Sequence, residues 1–209
     1  MLTAAVSPSS EVVEAAYDIP VLDKYLDYVS VMSYDYHGQW DGQTGHVAPM
    51  YDQPEESNKL FNVNFTVHHW LAGGLRRSKY EISTATSTMT VLMTFDISRL
   101  VLGMPLYGQS FTLENPAENG LNSPAEGGNS GEYTRARGFL AYYEICDKIN
   151  NEGWKVVHDP SGSMGPYAYQ GDQWVSFDDV KMIRHKSHYV KNMKLGGAMI
   201  WALDLDDFK

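Results

Sequence analysis

The segment from Tyr28 to Gly42, which reads YVSVMSYDYHGQWDG, restricts the fold of this chain more than any other part of it. It opens with β-branched and aromatic residues, a composition typical of a strand that a parallel sheet buries on both faces. The polar residues that follow directly are Tyr34, Asp35, Tyr36 and His37. Polar side chains at the carboxyl end of a parallel strand have the position of active-site residues in a barrel. The segment therefore predicts an α/β protein with a functional site where this strand meets its loop.

Composition narrows the classes of ligand. The 209 residues include 16 basic and 26 acidic ones, which gives a net charge of −10. This charge disfavours nucleic acid and anionic membranes as partners and suits a neutral ligand. The 14 tyrosines and 5 tryptophans favour a sugar, because aromatic rings stack on apolar sugar faces, although core packing is the alternative for any one of them. No apolar run has membrane-spanning length, and the first residues show no signal-peptide pattern.

Two of the predicted helices begin at a polar residue that is able to cap them. Asn62 or Asn64 caps the first, and Asp178 or Asp179 caps the second. Helical spacing in the second helix predicts an inward stripe that consists of Val180, Ile183, Ser187 and Val190.

Two more segments accompany MSYDYHG. They are GMPLYGQSF at Gly103–Phe111 and GGAMIWALDLDDF at Gly196–Phe208. In this order the three motifs resemble barrel strands six, seven and eight of the glycoside hydrolase family 18 chitinases, and LTAAVS near the start is similar to strand five. The resemblance extends over nearly the whole chain.

The resemblance implies an α/β fold: a partial (β/α)8 TIM barrel, strands five to eight, with an α+β chitinase insertion domain. Residues 1–108 are expected to hold strands five to seven with their helices, residues 109–174 the insertion domain, and residues 175–209 the last barrel helix and strand eight. On this interpretation the chain begins more than halfway round a barrel, and its sheet has two open edges.

The resemblance also assigns roles to residues of the predicted site. The Tyr34 hydroxyl binds the acetamido group of an N-acetyl sugar, and Asp35 contacts sugar hydroxyl or acetamido groups near the scissile bond. Met32 lines the floor of the pocket, and Tyr107 donates a further hydrogen bond. Gln109 stands where many relatives have arginine, and its amide is still able to bind a sugar.

Two tryptophans complete the set that the resemblance implies. Trp201 stacks under the sugar whose bond breaks, and Trp40 stacks one sugar further along. For Trp201, as for Met32, core packing is the alternative interpretation. Tyr34 and Asp35, side by side at a strand end, favour the functional one.

Catalysis in this family is substrate-assisted and retaining: the acetamido oxygen of the sugar attacks the anomeric carbon while a carboxylic acid protonates the leaving oxygen. That acid belongs to a DxxDxDxE motif on strand four, and no DxDxE occurs in this sequence. The strand is therefore expected before Met1, and the chain alone is predicted to be inactive. The parent is expected to be a secreted chitinase that acts on β-1,4-linked N-acetylglucosamine polymers.

Two alternatives stay open at this stage. Some relatives keep the fold without the acid and act as chitin-binding lectins or growth-factor-like proteins. The chain is also compatible with a truncated or mispredicted product that has no function of its own. For a chitinase and for a lectin alike, the predicted ligand is chitin or a chito-oligosaccharide, with no cofactor.

The remaining candidates are single residues or pairs. Cys146 has no internal partner, and the resemblance pairs it with a cysteine just beyond residue 209, as in an extracellular disulfide. Asn64 begins a glycosylation sequon, NFT. The pairs His68–His69 and His185–His188 lack a carboxylate at ligand spacing, so solvated helix faces are favoured over a metal site.

Residues 80–99 form an anomalous insertion. They are rich in Ser, Thr and Met, and the family pattern has no counterpart for them. Removing them joins RRSK to LVLGMPLYG, and the codons that Lys79, Tyr80 and Arg99 allow are compatible with a retained intron. A genuine lineage-specific loop is the alternative.

Overall fold

The computed structural model of this protein describes residues 1–56, 58–75 and 99–208. The helices and strands before the gap are β1 (Thr3–Val6), α1 (Ser10–Ala16), α2 (Ile19–Tyr25), β2 (Tyr28–Val31) and α3 (Val63–Ala72). Those after it are β3 (Leu100–Pro105), β4 (Tyr107–Leu113), β5 (Ala125–Gly127), β6 (Phe139–Ala141), α4 (Tyr142–Asn151), β7 (Lys155–Val157), β8 (Tyr167–Gln170), β9 (Gln173–Phe177), α5 (Val180–Asn192) and β10 (Gly197–Trp201). Within these ranges, no helix has both the length and the apolar character needed to cross a bilayer.

The first sheet is parallel, in the order β1-β2-β3-β10. Val29, Val31 and Leu102 on its central strands are almost fully buried, as the apolar run at Tyr28 predicts. The strand is shorter than the sequence pattern indicates, however, because pairing ends at Val31. Ser33 then donates from its hydroxyl to the Gly103 carbonyl at 2.8 Å, which keeps the next residues close to β3.

The second sheet is antiparallel and has the order β5-β4-β9-β8-β7, with β6 also paired to β4. A single residue, Leu106, separates β4 from β3 of the parallel sheet. Leu106 is buried, its N–H donates to the Trp201 carbonyl at 2.9 Å, and its carbonyl accepts from the Tyr142 N–H at 3.1 Å. The chain therefore passes from one sheet to the other through a residue that is held on both sides. The domain boundaries proposed from the sequence stay predictions.

The caps of α3 and α5 are assigned by the structure. The Asn62 side chain accepts from the Phe65 N–H at 2.8 Å, and the Asp179 carboxylate accepts from the Met182 N–H at 2.8 Å. Each cap satisfies a backbone donor of the first helical turn. Of the two candidates at each end, Asn62 and Asp179 are the caps.

The predicted inward stripe of α5 is right at two of its four positions, because Ile183 and Val190 pack against the buried core. Val180 is 63% exposed and Ser187 is exposed, whereas Met182, Lys186 and Tyr189 are buried. The buried residues keep helical spacing, but one of them is a lysine, which an apolar pattern does not reveal.

Arg99 is the one residue of the anomalous insertion that the structure describes; residues 80–98 lie outside the described ranges. Its guanidinium donates to the Asp23 carbonyl at 2.8 Å and to the Leu26 carbonyl at 3.3 Å. The residue that precedes β3 thus contacts the carboxyl end of α2.

A buried ion pair joins α5 to the end of β9. The ammonium of Lys186 contacts the carboxylate of Asp178, both side chains are fully buried, and Lys186 also donates to the Ala48 carbonyl at 2.7 Å. Burial lowers the pKa of Lys186 and raises that of Asp178, so each charge depends on the other. This pair connects the antiparallel sheet, α5 and the loop that follows β2.

We expect Lys186→Met to destabilise the chain by about 3–5 kcal/mol, because it leaves the Asp178 carboxylate buried without its counter-ion. Urea denaturation followed by circular dichroism measures the change. The double variant Asp178→Leu/Lys186→Met should regain most of the loss, since it removes both charges. Lys191→Met, at an exposed position on the same helix, serves as the control and should change stability by less than about 0.5 kcal/mol. A Lys186→Met variant as stable as the control would contradict this account.

Candidate functional site

The carboxylate of Asp35 is the centre of the polar cluster at the end of β2. Its Oδ1 atom accepts a hydrogen bond from the Tyr107 hydroxyl at 2.7 Å and another from Nε2 of Gln109 at 2.8 Å. The backbone of Asp35 has φ +58°, in the left-handed region that residues other than glycine rarely adopt. The two hydrogen bonds to this one oxygen therefore fix the orientation of the Asp35 side chain.

Tyr107 and Gln109 reach Asp35 because they are two residues apart on β4. Alternate residues of a strand face the same side, so both side chains point toward the end of β2. Tyr107 also packs its ring on Phe139 of β6, with centroids 4.7 Å apart. The predicted site residues Tyr107 and Gln109 are thus brought together with Asp35 although more than 70 positions separate them in sequence.

Tyr34 lies beside this cluster. Its ring meets that of Tyr107 edge to face, with centroids 6.0 Å apart and planes at 75°. Burial, with a smaller contribution from Asp35, raises the pKa of Tyr34 to about 12. Burial and then Asp35 raise the pKa of Tyr107 well above its usual value as well. Both hydroxyls therefore keep their protons at neutral pH and are able to donate hydrogen bonds.

The remaining predicted ligand contacts differ in exposure. Met32 is half-buried and packs against the cluster of Tyr34 and Tyr107. Trp201 ends β10 in register with Pro105 and is 55% exposed, while Trp40 is 60% exposed. Core packing therefore does not account for Trp201. Large exposed rings near a polar cluster are suited to stacking.

Two polar residues of the opening segment turn away from Asp35. Tyr36 is buried, and its hydroxyl lies 2.7 Å from Oγ1 of Thr66 in α3. His37 is also buried and lies between the carboxylates of Asp41 and Glu56. Their polarity at a strand end made them resemble site residues, but their side chains join the strand to its loop and helix.

The site also depends on two residues that the sequence did not single out. Gly103 in β3 allows the close approach of Tyr34: a Cβ atom there would lie 2.8 Å from the tyrosine ring and 2.5 Å from the Val31 carbonyl oxygen. Phe139 supports Tyr107 from a strand about thirty residues later, and no local pattern indicates that contact.

The predicted disulfide cysteine and the glycosylation asparagine are not among the residues that contact Asp35. Cys146 is a half-buried thiol of α4; burial, opposed by a hydrogen bond with Tyr142 and aided by Asp207, raises its pKa to about 11. Asn64 lies in the first turn of α3, where its side-chain oxygen accepts from the Tyr189 hydroxyl at 3.0 Å. The disulfide and glycosylation assignments stay predictions.

The histidine pairs have ordinary contacts. His68 Nδ1 lies 2.8 Å from the Asn64 carbonyl, His69 stacks on Phe65, and His185 meets the Tyr51 ring. Among the residues that the structure describes, no three His, Cys, Asp or Glu side chains are grouped as metal ligands.

We expect Gly103→Ala to destabilise the chain by about 1–3 kcal/mol, because the added methyl group pushes Tyr34 and the β2 backbone away from β3. Thermal or urea unfolding measures the loss. Gly120→Ala is the matched control, since a Cβ atom there meets nothing within 4 Å. Equal stability of the two variants would show that the approach of Tyr34 to Gly103 is not tight.

Comparison with known proteins identifies the family. The family model described as Glycosyl hydrolases family 18 matches residues 1–206. Probable chitinase 10 of Drosophila melanogaster is 52% identical over 210 residues, which cover all of this chain and 8% of the fly protein.

Two solved structures extend the comparison. Catalytic domain 2 of the group II chitinase of Ostrinia furnacalis has a TM-score of 0.88 and 50% identity, and a mutant of that domain was solved in complex with (NAG)5. Human YKL-39, described as a pseudo-chitinase with retained chitooligosaccharide binding properties, has a TM-score of 0.85 and 36% identity. The chain is covered completely in both cases and spans 49% and 52% of those chains. This protein belongs to glycosyl hydrolase family 18.

Proposed function

We propose that the cluster around Asp35 binds β-1,4-linked N-acetylglucosamine oligomers. One observation carries the proposal: all hydrogen bonds from described residues to the Asp35 side chain end at Oδ1, while the residue itself is exposed. An ionised carboxylate accepts on both oxygens, so Oδ2 is the acceptor offered to a ligand N–H or O–H. The neutral hydroxyl of Tyr34 supplies a donor beside it.

The aromatic residues support an uncharged sugar as the ligand. Trp201 and Trp40 present exposed rings for stacking, and Met32 contributes an apolar wall. The net charge of −10 disfavours polyanions at the same site. The complexes of related proteins with (NAG)5 and with chitooligosaccharides agree with this chemistry.

For the architecture, we propose that the parallel sheet corresponds to strands five to eight of a (β/α)8 barrel, and that residues 109–174 correspond to the α+β insertion. The support is the parallel order β1-β2-β3-β10 together with the likeness to solved chitinases of this family. Among the described residues, β1 and β10 each pair on one side only, as a section of a barrel requires.

In the longer protein, we propose substrate-assisted, retaining hydrolysis. Tyr34 and Asp35 orient the acetamido group so that its oxygen attacks the anomeric carbon, and Tyr107 and Gln109 hold Asp35 in place. The leaving oxygen needs a proton from a carboxylic acid. The sequence contains no DxDxE motif, so the part of the reaction that we assign to these residues is binding and positioning.

Binding without hydrolysis is the second candidate function. The likeness to a human pseudo-chitinase favours it. Under both candidate functions we propose that the parent protein is secreted. We also propose that Cys146 forms an extracellular disulfide in it. The retained-intron hypothesis for residues 80–99 is independent of both.

We expect the 209-residue chain to bind (GlcNAc)5 in isothermal titration calorimetry. Asp35→Ala and Trp201→Ala should each weaken binding about tenfold, because one removes the central acceptor and the other a stacking ring. Tyr25→Ala removes an aromatic that is 63% exposed on α2 and should leave the affinity unchanged. Wild-type affinity in both site variants would contradict the assignment of this cluster as the sugar site.

The chain alone should release no fluorophore from a fluorogenic chitobioside, because Asp35 is the one carboxylate that the described residues place in the cluster, and we assign it to positioning. Purified chain is assayed beside the full-length parent protein. Turnover by the chain that disappeared in Asp35→Ala would show that Asp35 acts as the acid.

A further inference from the structure

His37 lies between two carboxylates just beyond the predicted sugar site. Its Nδ1 atom is 3.1 Å from Oδ2 of Asp41, and its Nε2 atom is 2.8 Å from Oε2 of Glu56. The imidazole side chain is only 6% exposed, and those of Asp41 and Glu56 are 23% and 12% exposed. The ring also packs against Phe61, with centroids 5.6 Å apart.

This arrangement determines the protonation state of the imidazole. Ionised carboxylates only accept hydrogen bonds, and a neutral imidazole has one N–H group. Nδ1 is hydrogen-bonded to Asp41, and Nε2 is within ion-pair distance of Glu56, so the imidazolium is the form that both carboxylates attract. Burial opposes the charge, but the hydrogen bond to Asp41 and the charge of Glu56 outweigh it and raise the pKa of His37 above its ordinary value.

Asp41 connects His37 to Trp40. The same Oδ2 atom that meets His37 accepts a hydrogen bond from the Gly38 N–H at 3.1 Å, which closes the short 3-10 turn Gln39–Asp41. The benzo ring of Trp40 lies against Gly38, where a Cβ atom would come within 2.3 Å of it. The position of the indole therefore follows that of the turn.

Glu56 connects His37 to the other end of the same loop. The loop between Asp41 and Glu56 is attached to the segment before β5: Thr44 exchanges backbone hydrogen bonds with Asn122 and Ser123, and the Asn122 amide donates to the Glu55 carbonyl at 3.0 Å. His37 thus joins the beginning and the end of a loop that is anchored in the middle.

We propose that His37, as an imidazolium bridging Asp41 and Glu56, is a positioning residue that fixes the turn carrying Trp40 for stacking on the ligand. The role of Trp40 as a stacking ring rests on the proposed function. Loss of the proton leaves a single N–H for two carboxylates, so one contact becomes repulsive and the turn loosens.

Two further groups able to carry charge belong to the same part of the chain, His46 and Lys59. His46 is the nearest further histidine in the loop; burial, with a contribution from Lys186, lowers its pKa to about 3, so it stays neutral. Lys59, three residues after Glu56 in sequence, is paired with Asp52 at 3.2 Å. Phe61 and the Gly45 backbone, which also pack on the ring, carry no charge.

The raised pKa of His37 determines how the stability of this loop depends on pH. Because the folded-state pKa of His37 is raised, its stabilising contribution is complete below the unfolded value of about 6.5. The contribution is lost as pH rises through the folded pKa. Order of the Trp40 turn, and with it affinity for the sugar, should therefore decrease as pH rises through the raised pKa of His37.

The test uses ¹⁹F NMR of the chain labelled with 5-fluorotryptophan, with the Trp40 signal assigned from Trp40→Phe. The Trp40 signal should change with pH at the same midpoint as the His37 ring, which is followed by ¹³C NMR and assigned from His37→Gln. Glu56→Gln keeps an acceptor but removes a charge, so it should shift both midpoints to lower pH. A purely structural role of His37 would not move them.

Binding of (GlcNAc)5 completes the test. At pH 6, His37→Gln should weaken binding about tenfold, the size of a lost stacking contact, whereas His188→Gln at an exposed position of α5 should not. A Trp40 signal that is flat through the His37 titration, or midpoints that Glu56→Gln leaves unchanged, would overturn the positioning role of His37. A pH step in Trp40 without any response to (GlcNAc)5 would instead overturn the sugar site while supporting that positioning role.

Discussion

The change of sheet at Leu106 is the constraint on which the candidate site depends. One residue separates a parallel strand from an antiparallel one, so β4 starts at a fixed place relative to β2 and β3. Hydrogen bonds to Trp201 and Tyr142 hold that residue from both sides. Because of this junction, the side chains of Tyr107 and Gln109 contact Asp35 directly. A longer and more mobile connection would not fix the orientation of β4 relative to β2.

Local patterns in the sequence were sufficient where neighbouring residues decide the outcome. The buried run at Tyr28 predicted a central strand, and polar residues before apolar spacing reduced each cap to two candidates, of which Asn62 and Asp179 are the caps. The resemblance of three motifs to family 18 was confirmed by the family match. The order of residue types alone, an apolar run followed by polar residues, was sufficient to predict that Asp35 lies at the end of a strand.

The sequence was insufficient where a distant partner decides the outcome. Lys186 faces inward because Asp178 and the Ala48 carbonyl receive its charge, which periodicity cannot reveal. The strand at Tyr28 ends at Val31, and the left-handed Asp35 that follows is held by Tyr107 and Gln109, more than 70 positions away. Phe139 supports Tyr107 only through sheet pairing. Each of these depends on contacts between residues far apart in the chain.

The contact of Trp40 with Gly38 has a consequence for the shape of the ligand path. The benzo ring rests on a backbone that lacks a side chain, so the indole is covered on that side, while the residue as a whole is 60% exposed. On the proposed function, a sugar that stacks on Trp40 would therefore meet an exposed ring supported from below by backbone.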